Sequence, residues 1–221
     1  MIPSAANAEF VAQREDVLDV YKPAYDPLDP QVCLDECSQQ RVSETRVPMP
    51  VKPGQPARYD YEYERQGVCN LFVFSEPLTG WRPIEVTQQR TALDYAQQMK
   101  YLVDECYPKA LKIRRVHDQL NTHRPASLDK AFEPAEAKRI LDRLDIHYTP
   151  KHGRWLNLAE IELSVLARQC LDQRIPDPET LPREVGAWEK RRNSQRCTID
   201  WRFTNDDTRI KLKRLYPSIL T

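Results

Sequence analysis

The stretch 148–166 constrains the fold more than any other part of the chain. A short apolar run leads into a loop rich in proline and glycine, and Asn157 then opens a predicted helix that continues to about Leu171. With a rotation of roughly 100° per residue, apolar side chains cover almost the whole circumference of this helix, which is typical of a buried helix. Glu160 and Glu162 head two separate narrow polar stripes. Because a buried carboxylate needs a partner charge or a metal ion, we expect the fold to supply one.

Composition bounds the class of protein. At 221 residues the chain is one good-sized domain, or one domain with appendages, and 40% hydrophobic with 30% charged residues indicates a soluble globular protein. No run approaches the roughly 18 to 20 apolar residues of a membrane span, so we expect no membrane association. Charged residues within the N-terminal region exclude a signal peptide. The six cysteines are scattered without a CxxC pair, which disfavours structural zinc and favours a cytoplasmic location.

Charge is unevenly distributed along the chain. The formal net charge is zero, which argues weakly against a nucleic-acid-binding surface. From residue 186 onward, however, nine basic side chains stand against four acidic ones. A solvated face explains such a basic segment about as well as a binding surface does.

The order of predicted elements indicates a mixed α/β sheet with helices on its faces. Residues 1–30 are predicted to form an N-terminal helix (Ala5–Tyr21) and a proline-rich linker, as if an upstream domain preceded them, and residues 31–221 form the main domain. We predict strands at 31–36, 58–65, 68–74, 81–87, 111–116, 146–148 and 198–203, with a surface loop after the first strand. We predict further helices at 91–107, 127–144 (interrupted at 133–134), 157–171 and 176–193, and a short basic helix capped by Asn205 or Asp206.

Three acidic residues stand where such a sheet presents ligands. Asp35 ends the first strand, Asp118 follows the strand 111–116, and Glu160 lies in the first turns of the apolar helix. Carboxylate oxygens are the ligands that Mg²⁺ and Mn²⁺ prefer. Two such ions about 3.5 to 4 Å apart would activate a water or hydroxyl and stabilise the leaving oxygen of a phosphodiester. In a chain with 33 acidic residues, this pattern alone is a weak signal.

Three segments, 32–36, 116–123 and 147–160, resemble the signatures of a known family. It is the family of DDE transposases of bacterial insertion sequences, related to mariner elements, whose fold is RNase H-like. The segments 61–65, 70–72 and 77–82 also resemble it, so the similarity runs over nearly the whole chain. The three motifs stand in the right order, with 82 residues between the aspartates and 41 between Asp118 and Glu160.

The resemblance implies a fold, a site and a reaction. The fold would be α/β and RNase H-like, with a mixed five-stranded sheet flanked by helices. Asp35, Asp118 and Glu160 would be the catalytic residues and would bind two Mg²⁺ or Mn²⁺ ions; the choice of Glu160 over Glu162 comes from the family pattern. Water would cleave DNA at the transposon ends, and the freed 3′-hydroxyl would attack target DNA, in a homodimer associated with the bacterial nucleoid.

Beside the triad, Lys151, His152 and Arg154 are candidates for binding DNA phosphates, and His123 could contact phosphate or support the site. Two positions depart from the family pattern: Gln119 replaces the usual Asn, and Arg154 stands where a small residue is common. Two alternatives stay open. The chain could be another RNase H-like nuclease, or an inactive remnant that serves as a DNA-binding or dimerisation module.

Overall fold

The computed structural model describes residues 7–58 and 60–216. Its centre is a mixed five-stranded sheet in the order β3-β2-β1-β4-β5. The strand β1 pairs antiparallel with β2, and β2 with β3, whereas β1 with β4 and β4 with β5 are parallel. The strands are β1 (Gln31–Glu44), β2 (Tyr63–Ser75), β3 (Ile84–Thr87), β4 (Ile113–His117) and β5 (Leu144–Tyr148). The predicted mixed sheet of five strands, with the first strand central, is confirmed.

Helices cover both faces of the sheet. They are α1 (Ala8–Tyr21), α2 (Ala92–Tyr101), α3 (Ala126–Ala131), α4 (Pro134–Asp142), α5 (Ala159–Leu166), α6 (Thr180–Ser194) and α7 (Asn205–Lys211). π-Helical turns extend α2 (Leu102–Cys106) and α5 (Ala167–Leu171), and short 3₁₀ turns occupy Arg154–Leu156 and Lys213–Leu215. Among the described residues, no helix combines the length and apolar character needed to cross a membrane.

The alternation of side chains along β1 divides the core into two layers. Val32 and Leu34 point to one face, where they pack with residues of α2, α3 and α4. Cys33 points to the other face and packs with Val116, with α1 and with the beginning of α5. Because side chains two positions apart on a strand share a face, Asp35 lies on the same side as α1 and α5.

Several predicted boundaries are wrong, and the largest error concerns the first strand. The strand β1 continues to Glu44 because its second half pairs with β2 in a long hairpin, with Glu44 opposite Tyr63. The predicted surface loop is therefore shorter, and the strand predicted at 58–65 begins only at Tyr63. The first residues of the helix predicted at Ala5–Tyr21 and the side chain of Tyr59 lie outside the described residues.

Two predictions in the C-terminal part are also wrong. No strand forms at 198–203, because Trp201 instead packs at an angle against Tyr21 of α1 (ring centroids 5.8 Å apart) and stacks on Trp155 (6.4 Å). The basic helix α7 is capped by neither Asn205 nor Asp206. Thr204 caps it, in a reciprocal capping box with Asp207.

Candidate active site

Asp35 lies in β1, and Asp118 directly follows β4, the neighbouring parallel strand. Cys33 of β1 pairs in register with Val116 of β4, and each aspartate follows its paired residue by two positions. This register sets the two aspartates at the same level of the sheet, beyond the last paired residues of the two parallel strands. Two of the three predicted ligands are thus brought together by strand pairing.

Glu160 reaches the same edge from the first turn of α5. The side-chain amide of Asn157 donates to the backbone oxygen of Leu34 (2.8 Å), and its Oδ1 accepts the backbone N–H of Ala159 (3.2 Å). Asn157 therefore lies just outside the helix, not at its first turn as predicted, and it ties the start of α5 to β1. That attachment places Glu160 next to Asp35.

The Asp35 carboxyl group is buried beside Glu160. Only 7% of Asp35 is exposed, and its Oδ1 accepts the backbone N–H of Glu36 (2.8 Å). Burial raises the pKa of Asp35 to about 7; the neighbouring Glu160 carboxylate adds to the rise, and the charge of Arg154 opposes it. Two carboxylates in this position cannot both stay ionised near neutral pH without a counter-charge.

Asp118 is held by a buried histidine. Its Oδ1 accepts hydrogen bonds from Nδ1 of His123 (2.7 Å) and from the backbone N–H of Leu120 (3.3 Å). Burial alone would raise the pKa of Asp118, but the hydrogen bond and charge of His123 outweigh it and hold that pKa below its usual value. Burial would lower the pKa of His123, but hydrogen bonds to Asp118 and Glu36 raise it instead.

Among the described residues, the side chains whose potential metal-ligand atoms lie close together are not the three side chains of the predicted triad. Donor atoms of His117, Asp118 and His123 lie within 4.8 Å of one another. The side chain of Asp118 turns toward His123, and that of Glu160 turns toward Arg154. The structure therefore brings Asp35 and Glu160 into direct interaction and adds two histidines around Asp118.

Lys151, His152 and Arg154, the predicted phosphate-binding residues, lie between β5 and α5. Lys151 and His152 are exposed, and His152 has a left-handed backbone (φ 69°). The Arg154 side chain is 67% exposed, and its Nε donates to Oε1 of Glu160 (2.6 Å). Arg154 thus places a positive charge directly beside the carboxylates.

Glu162 does not belong to this site. It is fully buried and forms ion pairs with Nε of Arg82 (3.1 Å) and Nε of Arg192 (3.2 Å). Glu162 is therefore the buried carboxylate with a partner charge that the sequence predicts. Glu160 is about one-third exposed and faces the aspartates. The structure separates two glutamates that the helical pattern left equivalent.

The sequence analysis missed Glu36. Its Oε1 accepts a hydrogen bond from Nε2 of His123 (2.7 Å), on the side of the ring opposite Asp118. A signal was present, because Glu36 directly follows Asp35 at the end of a predicted strand, and neighbouring strand residues point to opposite faces. Its partner is 87 residues away, and only the fold shows that they meet.

Comparison with known families decides where the chain belongs. The profile described as DDE superfamily endonuclease matches residues 30–182, which include Asp35, Asp118 and Glu160. The chain belongs to this family. Comparison of the DDE endonuclease sequence with curated proteins gives no match.

Solved structures similar to this chain include those of the Mos1 mariner transposase. The Mos1 mariner paired end complex with Mn is 19% identical, with a TM-score of 0.56 over 86% of this chain and 58% of that chain. The Mos1 transposase paired-end complex with left transposon end (18% identity, TM-score 0.58) covers 86% and 57%. The Mos1 Strand Transfer Complex (20%, 0.55) covers 86% and 56%. At these identities the likeness establishes the fold, and the chain spans less than two thirds of each Mos1 chain.

Proposed function

We propose that this chain is the catalytic part of a transposase, which cleaves DNA at transposon ends and joins the freed ends to target DNA. The observation that carries the proposal is the interaction of the Asp35 and Glu160 carboxyl groups at the end of β1's pairing with β4, the strand that Asp118 directly follows. Two parallel strands in register and a helix anchored to β1 by Asn157 produce this arrangement. Membership of the DDE endonuclease family supports the same chemistry.

The residues at this edge fit divalent cations. Asp35, Asp118 and Glu160 offer carboxylate oxygens, the donors that Mg²⁺ and Mn²⁺ prefer. The pKa of Asp35, raised to about 7 by burial and by Glu160, marks a place where added positive charge would be stabilising. We propose that these three residues hold two ions; solved Mos1 complexes with Mn and with Mg support this choice of metals. Bound there, the ions would lower the pKa of an attacking water and stabilise charge on the phosphodiester.

The protein's own side chains prepare the site for an anionic backbone. Arg154 offsets the negative charge of Glu160 directly. Its charge also opposes the rise in the pKa of Asp35 and contributes to the lowered pKa of Asp118. With Lys151 and His152 exposed on the same loop, we propose that these three residues bind DNA phosphates next to the reacting bond. Asn157 and the start of α5 keep Glu160 at a fixed position relative to β1.

The partners are part of the proposal. The similar Mos1 structures are a paired-end complex and a strand transfer complex, which supports transposon ends and target DNA as substrates. A reaction that joins two ends favours a homodimer. The motif resemblance supports a bacterial insertion sequence as the source, so that the protein would act in the cytoplasm, at the nucleoid.

The test is cleavage of plasmid DNA, for which the sequence of the terminal repeat need not be known. Supercoiled plasmid is incubated with the wild-type chain and Mn²⁺, with Mg²⁺, or with EDTA, and nicking is followed on gels. We expect nicking with Mn²⁺ that disappears in EDTA and in Asp35→Asn. A Glu179→Gln variant, altered at the exposed start of α6, serves as the matched control and should nick like the wild type.

Other outcomes separate the alternatives. Cleavage of an RNA–DNA hybrid in preference to DNA would indicate another RNase H-like nuclease. A folded chain that binds DNA but cleaves neither substrate with either metal would indicate an inactive remnant. Both results would contradict the proposed function.

A further inference from the structure

A buried histidine links the metal-binding edge to a second carboxylate behind it. The ring of His123 lies between Asp118 and Glu36, with Nδ1 2.7 Å from Oδ1 of Asp118 and Nε2 2.7 Å from Oε1 of Glu36. The side chain of His123 is 1% exposed and that of Glu36 is 2% exposed, whereas that of Asp118 is 26% exposed. The three residues form a line from the interior to the surface, with Asp118 at its outer end.

The surrounding residues hold the His123 ring in one orientation. Tyr95 of α2 stacks on it (ring centroids 4.8 Å, interplanar angle 26°), and His117 packs edge-on against it (5.1 Å). The hydroxyls of Tyr95 (3.3 Å) and Tyr148 (3.1 Å) donate to the backbone oxygen of His123. With its backbone oxygen bonded and two aromatic rings packed against it, the ring has little freedom to turn.

Both ring nitrogens of His123 face carboxylate oxygens. Each nitrogen is engaged by a carboxyl oxygen at 2.7 Å in a buried ring, so neither nitrogen faces a place where an ion could bind. The role that fits this geometry is support of Asp118 and not ligation. In metal sites, partners behind the ligands fix the orientation of the ligands in this way.

We propose that His123, held by Glu36, is a positioning residue that orients the Asp118 carboxylate for metal binding. The hydrogen bonds from His123 and from the backbone of Leu120 both go to Oδ1, which leaves Oδ2 for an ion. Glu36 acts one step further back, because it fixes the ring that fixes Asp118. This inference rests on the proposed function, since it assigns the residues that prepare one ligand of that site.

The expected loss of metal affinity follows from the behaviour of other metal sites. Loss of a partner behind a metal ligand typically lowers metal affinity 10- to 100-fold. We therefore expect His123→Ala and Glu36→Ala each to weaken Mn²⁺ binding by about that factor. Because Glu36 acts through His123, the double variant should bind Mn²⁺ no more weakly than His123→Ala alone, a non-additivity that a double-mutant cycle measures.

The experiment is calorimetric titration of Mn²⁺ into the full chain, accompanied by thermal unfolding in EDTA. His147→Asn is the matched control: this histidine also contacts two carboxylates, of Asp16 (2.9 Å) and Asp145 (3.2 Å), but neither belongs to the proposed site. We expect wild-type Mn²⁺ affinity in the control. If His123→Ala does not fold, Glu36→Ala tests the same claim with the ring still in place.

The outcomes separate this inference from the proposed function. Weaker Mn²⁺ binding in both variants, with non-additivity, supports the inference. Variants that unfold at lower temperature but bind Mn²⁺ like the wild type would overturn it, since the residues would then serve only stability. A wild-type chain that binds no Mn²⁺ would overturn the proposed metal site itself.

Discussion

Two glutamates of the same helix, two residues apart, have opposite surroundings. Glu162 is buried against Arg82 and Arg192 with its charge fully paired by the protein. Glu160 is partly exposed, next to the buried carboxyl of Asp35 and paired with the exposed side chain of Arg154. The first carboxylate is neutralised within the fold, and the second stands in a group with an excess of negative charge.

The difference shows how the fold separates stability from chemistry. Arg82 also donates to the backbone oxygens of Arg192 (3.1 Å) and Cys197 (2.7 Å), so the Glu162 cluster joins α5, α6 and the C-terminal segment. Around Glu160 the protein leaves negative charge unbalanced, and burial together with the neighbouring Glu160 carboxylate raises the pKa of Asp35 to about 7. A cluster of the first kind stabilises the protein, whereas one of the second kind is typical of a functional site.

The largest expected effect is on cleavage. Glu160→Gln should reduce Mn²⁺-dependent nicking of plasmid DNA to the level seen in EDTA, because a ligand is lost from the proposed metal site. Glu162→Gln should keep nicking in proportion to its folded fraction. Equal loss of nicking in two equally folded variants would contradict the separation of roles.

The next effect is on stability, and here Glu162→Gln should be more damaging than Glu160→Gln. Glu162→Gln leaves the buried Arg82 without its counter-charge, so we expect the free energy of unfolding to fall by about 3 to 5 kcal/mol. Glu160→Gln should change it by less than about 1 kcal/mol. Urea unfolding followed by circular dichroism measures both, and a Glu162→Gln variant as stable as Glu160→Gln would show that the buried cluster is not needed for stability.

A smaller effect follows from pH. The folded-state pKa of Asp35 is about 7, above its ordinary value, so the stability that its protonated form contributes is full at acidic pH and is lost as the pH rises through 7. Between pH 5 and pH 8, in EDTA, Asp35→Asn should therefore gain on the order of 1–3 kcal/mol relative to the wild type. Urea unfolding at the two pH values checks this. A constant difference would mean that the Asp35 carboxyl does not titrate in this range.

The smallest effect concerns Arg154. Its ion pair with Glu160 is exposed, so Arg154→Ser should change the free energy of unfolding by at most about 1 kcal/mol. DNA binding should weaken, with a salt dependence reduced by about one phosphate contact. Fluorescence anisotropy of a labelled duplex at several salt concentrations measures this. Arg183→Ser, an exposed arginine of α6, is the control; equal losses in both variants would argue against a specific contact.

Local pattern predicts much of this fold. The apolar runs of β2 and β4, the break between α3 and α4 at Glu133-Pro134, and the apolar helix α5 all follow from periodicity and from proline chemistry. The position of Asp118 directly after β4 was also predictable, whereas Asp35, predicted at the end of the first strand, lies inside β1 because that strand continues to Glu44. The position of the two aspartates relative to each other along the strands depends on the pairing of Cys33 with Val116, which no local sequence pattern predicts.

The remaining features depend on distant partners. The helical pattern places Glu160 and Glu162 on two stripes, and which one is buried is decided by Arg82, 80 residues earlier. Residues 198–203 alternate apolar and polar like a strand, but packing of Trp201 against Tyr21 and Trp155 prevails over sheet pairing. Such contacts arise only when the chain has folded.

The most direct test of the account is whether the edge formed by Asp35, Asp118 and Glu160 binds a divalent cation. Mn²⁺ is titrated calorimetrically into the wild-type chain and into Asp118→Ala, after circular dichroism has shown that both are folded. The account predicts binding to the wild type that is lost in Asp118→Ala. Equal binding to both proteins, or no binding to the folded wild type, would contradict it.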